Sequence, residues 1–140
     1  VAAYKKYGGP VISVAFGTAT AFDVIVEGGK YIGGAIAPGI GISADALFRL
    51  AARLYQVEIV RPPKVIGKNT VHYMQSGLLL GYAGVVEGLV QRMHEELGTT
   101  CPVVATGGLA EVIANETKAI SAVEPYLTLE GIRHIYQMNR

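Results

Sequence analysis

Cysteine is almost missing from this chain. Cys101 is alone among 140 residues, which excludes a disulfide framework and fits a reducing, cytoplasmic setting. It precedes Pro102 with no basic neighbour in sequence, so a buried or inert thiol is expected rather than a reactive one. Excess charge is missing too. Twelve Lys and Arg face eleven Asp and Glu, for a net charge of +1, and so small an imbalance offers no field for nucleic acid or a membrane surface. The apolar stretch from Gly77 to Val90 is interrupted by Glu87 and is too short to span a bilayer. His72, His94 and His134 lie far apart without metal-ligand spacing, and are expected on surfaces or helix faces.

What is present is apolar and rich in glycine. Hydrophobic residues make up 51% of the chain, enough to bury one core in a single domain. The 18 glycines exceed the usual share of about 7%. They punctuate apolar segments, as tight turns and close backbone contacts require.

The opening "VAAYKKYGG" reads as the last turns of a helix closed by glycine, with lysines where the helix dipole favours them. It shows neither an N-cap nor an initiator methionine, so an upstream segment is expected. Strands are expected at Val11–Phe16, Thr20–Val26 and Tyr31–Ile36, joined by short turns into an antiparallel meander. Ser43 is expected to cap a helix reaching about Tyr55, and "RPPK" then forbids regular structure. Asn69 is expected to cap a long helix from Thr70 to Leu97, with Val71, Met74, Leu78, Val85 and Leu89 as its core stripe. Gly77, Gly81, Gly84 and Gly88 form a second stripe. Each costs about 1 kcal/mol relative to alanine, so a closely approaching backbone is expected there, from a second helix or another subunit. A strand "VVAT" after Pro102, a helix from Leu109 to Asn115, a short strand in "AISAV" and a closing helix capped by Thr128 complete an α/β order.

Three segments are candidates for binding. Gly17-Thr18, between two apolar runs, is either an ordinary hairpin turn or a phosphate turn, with glycine permitting close approach and Thr18 offering a hydroxyl. "GKNT" at 67–70 fails as a P-loop, because Asn69 separates Lys68 from Thr70. It still combines a helix start with the Thr70 hydroxyl. Gly107-Gly108 joins a strand to a helix at the end of a sheet where open α/β folds bind ligands. Asp23 and Glu27, on a strand and the turn after it, are expected to be solvated or at a sheet edge.

Together, "VAFGTATAFDVI", "GGAIAPGIGISADALF", "VEIVRPPKVIGKNT", "MQSG" and "ATGGLAE" resemble, in order and spacing, the type III pantothenate kinases. That family belongs to the actin-like, ribonuclease H-fold superfamily. The resemblance covers essentially all 140 residues. It implies a ribonuclease H-like domain built on the three-stranded meander. It also implies transfer of the ATP γ-phosphoryl group, carried with Mg2+, to pantothenate in coenzyme A biosynthesis, and a cytoplasmic homodimer with sites completed across the interface. By resemblance Gly17 and Thr18 contact ATP, Gly107 and Gly108 form the adenosine-side turn, and Thr70 contacts the substrate.

The departures are specific. The family's first phosphate loop (Asp-x-Gly-Asn-Thr) and the Gly-x-Asp-Arg motif with its general base are not among these residues. The chain is therefore expected to be the C-terminal domain of a two-domain kinase, inactive alone, or paired with a chain carrying the N-terminal half. Where the family has an aspartate that binds a monovalent cation, K+ or NH4+, this chain has Ala15. Ala51 and Tyr55 replace a threonine and a proline. A degenerate, non-catalytic relative acting as a regulatory or interaction partner is the alternative.

Overall fold

A computed structural model describes residues 1–51 and 53–140. Its centre is strand β1 (Val11–Phe16), whose alternating side chains serve two cores. β1 pairs antiparallel with β2 (Ala19–Ile25), and β2 pairs antiparallel with β3 (Tyr31–Pro38). On its other side β1 runs parallel to β4 (Val103–Gly107), which runs parallel to β5 (Ala122–Val123). The order is β3-β2-β1-β4-β5. The expected meander is present, extended by two parallel strands with helices packed on the sheet.

One face of the sheet carries Ile12, Val14 and Phe16 with Phe22, Val24, Val103 and Ala105, all buried in the larger core. Burying each large apolar side chain contributes roughly 1.5–3 kcal/mol. The opposite face buries Val11, Ile25 and Val104 beneath helix α1 (Ala2–Tyr7) and helix α6 (Leu127–Met138). Gly8, at φ 74, closes α1 after Lys5 and Lys6, as the opening residues foretell.

Helix α2 (Ile40–Leu50) starts earlier than expected. Gly39 is its N-cap, and the Ser43 amide already donates to the Gly39 carbonyl, so Ser43 lies inside the first turn. Buried Ile40 anchors the start directly after β3. Extended backbone at Ala51 ends the helix short of Tyr55; of the expected span, residue 52 lies outside the described residues. Thr128 is likewise not a cap. Buried Leu127 opens α6 one residue earlier, its amide donating to the Glu124 carbonyl.

The long helix is present but not regular. Asn69 caps it as expected, accepting from the His72 amide at 2.9 Å. Helix α3 (Thr70–Gln75) passes through a wide π turn (Ser76–Leu80) into helix α4 (Gly81–Leu97). A π turn holds about one residue more than an α turn, which rotates the downstream face by about 100°. Met74 and Leu78 are buried as expected. Within the turn Leu79 is buried, and after it Tyr82, Val86 and Val90 enter the core, while Val85 is 40% exposed and Leu89 half-buried. Gly77, Gly81 and Gly84 are exposed with open space where a Cβ would stand, and a Cβ on Gly88 would meet only the Arg92 guanidinium. No described residue of this chain makes the expected close approach.

Helix α5 (Ala110–Ala114) follows β4. At the edge of the smaller core, Lys6 Nζ lies 2.6 Å from Glu124 Oε2, and the Tyr7 hydroxyl donates to Glu124 Oε1. The Lys6 and Tyr7 hydrogen bonds hold the Glu124 carboxyl below the usual carboxylate range, and the same contacts raise Lys6 and Tyr7. A depressed carboxyl binds fewer protons folded than unfolded, so its contribution is present at neutral pH and lost as pH falls through the folded value. The raised Lys6 and Tyr7 lose theirs only on the alkaline side.

Two outcomes follow from this packing. Leu79→Ala should cost about 2–5 kcal/mol in urea unfolding, and Val85→Ala a small fraction of that; the reverse order would contradict the rotated face. Glu124→Gln should flatten the fall in unfolding midpoint between about pH 5 and 3, and an unchanged slope would show that the α1 tether carries no pH-dependent stability.

Candidate functional site

The parallel β1–β4 pair sets the geometry of the site. Phe16 and Gly107, the last residues of the two strands, are direct register partners. The Gly17-Thr18 turn and the Gly107-Gly108 turn therefore leave the sheet side by side at its carboxyl end. This is the position where open α/β sheets present ligand crevices.

Gly17 closes the first turn by donating to the Ala19 carbonyl at 3.0 Å. The junction of β3 and α2 packs directly on it. The Gly39 amide donates to the Thr18 carbonyl at 3.0 Å, and a Cβ on Gly39 would lie 2.4 Å from the carbonyl oxygens of both Gly17 and Thr18. Glycine is thus needed at 39 to hold the turn down. Gly17 and Thr18 themselves remain exposed.

The second turn divides its work between two glycines. Gly107 has φ +100, and a Cβ there would sit 2.2 Å from the Phe16 carbonyl oxygen. Its role is to let β4 end tightly against β1. Gly108 is exposed with nothing within 4 Å of an added Cβ, so its open backbone faces free space that a ligand can enter.

Among the described residues, no hydrogen bond joins Thr70 to these turns. Thr70 is the exposed first residue of α3, beside a hollow of about 290 Å3 lined by Lys64, Lys68, Asn69 and His72 among others. The segment before it is tied to the helix by Gln75 Nε2 donating to the Glu58 carbonyl at 3.1 Å and Ser76 Oγ to the Val65 carbonyl at 2.6 Å. Ala51 is half-buried at the end of α2, and Tyr55 is exposed.

Ala15 points to the α1–α6 face and pairs in register with Ala21 and Thr106. It lines a hollow of about 190 Å3 together with Ser13, Asp23, Thr106 and Thr128. Its methyl group presents no oxygen, so position 15 does not fit a cation ligand. Asp23 is half-buried and not at a sheet edge, whereas Glu27 is exposed as expected. Asp23 pairs with Ser13 and Gly34 in the interior strand β2, and its charge raises the Tyr31 phenol above its usual range. Its nearness to Ala15 depends on strand register, which no local motif announces.

His94 Nε2 accepts from the Cys101 amide at 3.2 Å, and Lys5 Nζ lies 3.4 Å from His134 Nδ1. Burial pushes the Cys101 thiol up, which disfavours the thiolate. Among the described residues, no group of three His, Cys, Asp or Glu side chains is placed to hold a metal ion, and no helix is long and apolar enough to cross a membrane.

The sequence model of the family described as type III pantothenate kinase matches residues 1–92. The chain belongs to the type III pantothenate kinase family. A type III pantothenate kinase of Roseiflexus sp. (strain RS-1) is 78% identical over 140 residues, 100% of this chain and 55% of that protein. A type III pantothenate kinase of Moorella thermoacetica is 59% identical over 139 residues, 99% of this chain and 55% of that one. The chain thus spans about half the length of the curated pantothenate kinases it matches. Gly17, Thr18 and Thr70 fall within the family match, whereas Gly107 and Gly108 lie beyond it, in the region aligned with these relatives. A solved structure from Campylobacter jejuni, named for the Baf family, superposes with a TM-score of 0.68 at 19% identity, covering 99% of this chain and 61% of that one. That likeness concerns the fold alone.

The two glycines of the second turn should separate on substitution. Gly107→Ala meets backbone at positive φ and should cost more than about 1 kcal/mol in thermal unfolding. Gly108→Ala should leave stability within about 0.5 kcal/mol of the unsubstituted protein. Equal costs at both positions would contradict the division of roles.

Proposed function

We propose that these residues form the C-terminal, ribonuclease H-like domain of a two-domain type III pantothenate kinase. The whole protein moves the γ-phosphoryl group of ATP to the primary hydroxyl of pantothenate, in the cytoplasm, on the way to coenzyme A. The observation that carries this reading is the pairing of Phe16 with Gly107, which sets the Gly17-Thr18 and Gly107-Gly108 turns next to each other at the carboxyl end of the sheet. Family membership supplies the chemistry.

Phosphoryl transfer is mostly positioning and electrostatic stabilisation. In this reading the exposed Gly17 backbone admits a phosphate and the Thr18 hydroxyl donates to it, while Gly107 and Gly108 leave room for the nucleoside. Mg2+ bound to the ATP phosphates would offset part of their charge. Thr70, on the helix start, contacts pantothenate. The pantothenate hydroxyl oxygen bonds to the γ-phosphorus, the bond to the bridging oxygen of ADP breaks, and the hydroxyl proton passes to a base that we place outside these residues. The exposed face of Gly77, Gly81 and Gly84 supports a homodimer with helices packed there, since glycine permits close backbone approach.

Ala15 favours a second reading, a non-catalytic relative, because the usual carboxylate is gone. It also supports a kinase that works without a monovalent cation. A potassium titration of the full-length protein separates these. The kinase reading predicts pantothenate-dependent ADP release that is nearly indifferent to potassium, and Ala15→Asp should introduce potassium activation. Strong activation in the unsubstituted protein would contradict this reading of position 15, and no turnover at any potassium concentration would favour the non-catalytic relative.

The turn itself is tested by Thr18→Ala. Losing a hydrogen bond to a charged group is worth about 1.5–3 kcal/mol, so affinity for a non-hydrolysable ATP analogue should fall roughly 10- to 100-fold. Unchanged affinity would remove Thr18 from the ATP site.

A further inference from the structure

Tyr82, just after the wide turn at Ser76–Leu80, is buried in the core and only 7% exposed. Its hydroxyl has one proton, and that proton goes to the Pro38 carbonyl at 2.8 Å. The second contact, with the Thr20 hydroxyl, must therefore run the other way, with Thr20 donating to Tyr82. The result is a directed chain from Thr20 through Tyr82 to Pro38.

All of its members flank the Gly17-Thr18 turn. Thr20 lies just beyond it on β2. Pro38 precedes Gly39, whose amide holds the Thr18 carbonyl at 3.0 Å. The Tyr82 ring also stands 6.5 Å, centroid to centroid, from Phe16, the last residue before the turn. One side chain of the long helix thus touches the turn's entry, its exit and the backbone packed over it. Core filling alone needs the ring. It does not need a hydroxyl aimed at these two partners.

We propose that the Tyr82 hydroxyl is a positioning residue for the Gly17-Thr18 turn, holding it in the shape that receives a nucleotide phosphate. This rests on the reading of that turn as the phosphate site. Tyr82 acts through Thr20 and Pro38 and does not itself touch ATP. Because α3, the π turn and α4 are continuous, it also links the helix that begins at Thr70 to the turn.

The test uses the full-length protein and a non-hydrolysable ATP analogue, with affinity measured by calorimetry and amide exchange measured without ligand. Tyr82→Phe keeps the ring and removes the hydroxyl. It should weaken analogue binding about threefold to tenfold, the worth of one ordinary hydrogen bond, and speed exchange of the Gly39 amide. Thr20→Val should do the same and keeps the test alive if Tyr82→Phe folds poorly. The double variant should lose little more than either single one, because both break one chain. Weakened binding in Thr18→Ala with normal affinity and normal Gly39 exchange in Tyr82→Phe and Thr20→Val would overturn the proposal while leaving the phosphate turn intact. Normal affinity in Thr18→Ala would instead remove the phosphate reading, and Gly39 exchange would still report whether Tyr82 holds the turn.

Discussion

The close parallel approach of β1 and β4 is the constraint on which the site depends. Their last residues meet as register partners, and at Gly107 the approach leaves no room for a Cβ beside the Phe16 carbonyl. That approach makes two chain segments, distant in sequence, end at one place. A side chain at 107 would push the strand ends apart and separate the turns that follow them. Gly39 repeats the device on the other side of the first turn, where its backbone presses on the carbonyls of Gly17 and Thr18. Tight backbone packing beneath the turns leaves their upper surfaces open.

The long helix contributes through an irregularity. A regular helix continuing the face of Met74 and Leu78 would turn Gly81 and Val85 inward. The extra residue of the π turn brings Val86 and Val90 inward instead, and the exposed glycines face away from the sheet. The core packing of the downstream half of the helix and its bare glycine face are thus consequences of one local change in winding.

Legibility in the sequence followed the range of the interaction involved. Val11–Phe16 could be read to the residue because it is a short apolar run bounded by Pro10 and Gly17, and Asn69 could be read as a cap because its side chain accepts from a nearby amide. Ser43 and Thr128 misled for the same local reason: each has the composition of a cap, but buried Ile40 and Leu127 started the helices earlier. Val85 was misplaced because a 3.6-residue period carries no sign of a π turn. The neighbourhood of Ala15, Ser13 and Asp23 required the antiparallel register. The candidate site was legible mainly through motif resemblance. Nothing local in either turn reveals that Gly17 and Gly107 are neighbours, since that follows from a parallel pairing across most of the chain.

A crystal structure of the full-length protein with a non-hydrolysable ATP analogue tests the central claim most directly. The account predicts a phosphate oxygen within about 3 Å of the Thr18 hydroxyl, with the nucleoside lying over Gly107 and Gly108. A nucleotide bound away from the carboxyl ends of β1 and β4 would contradict it.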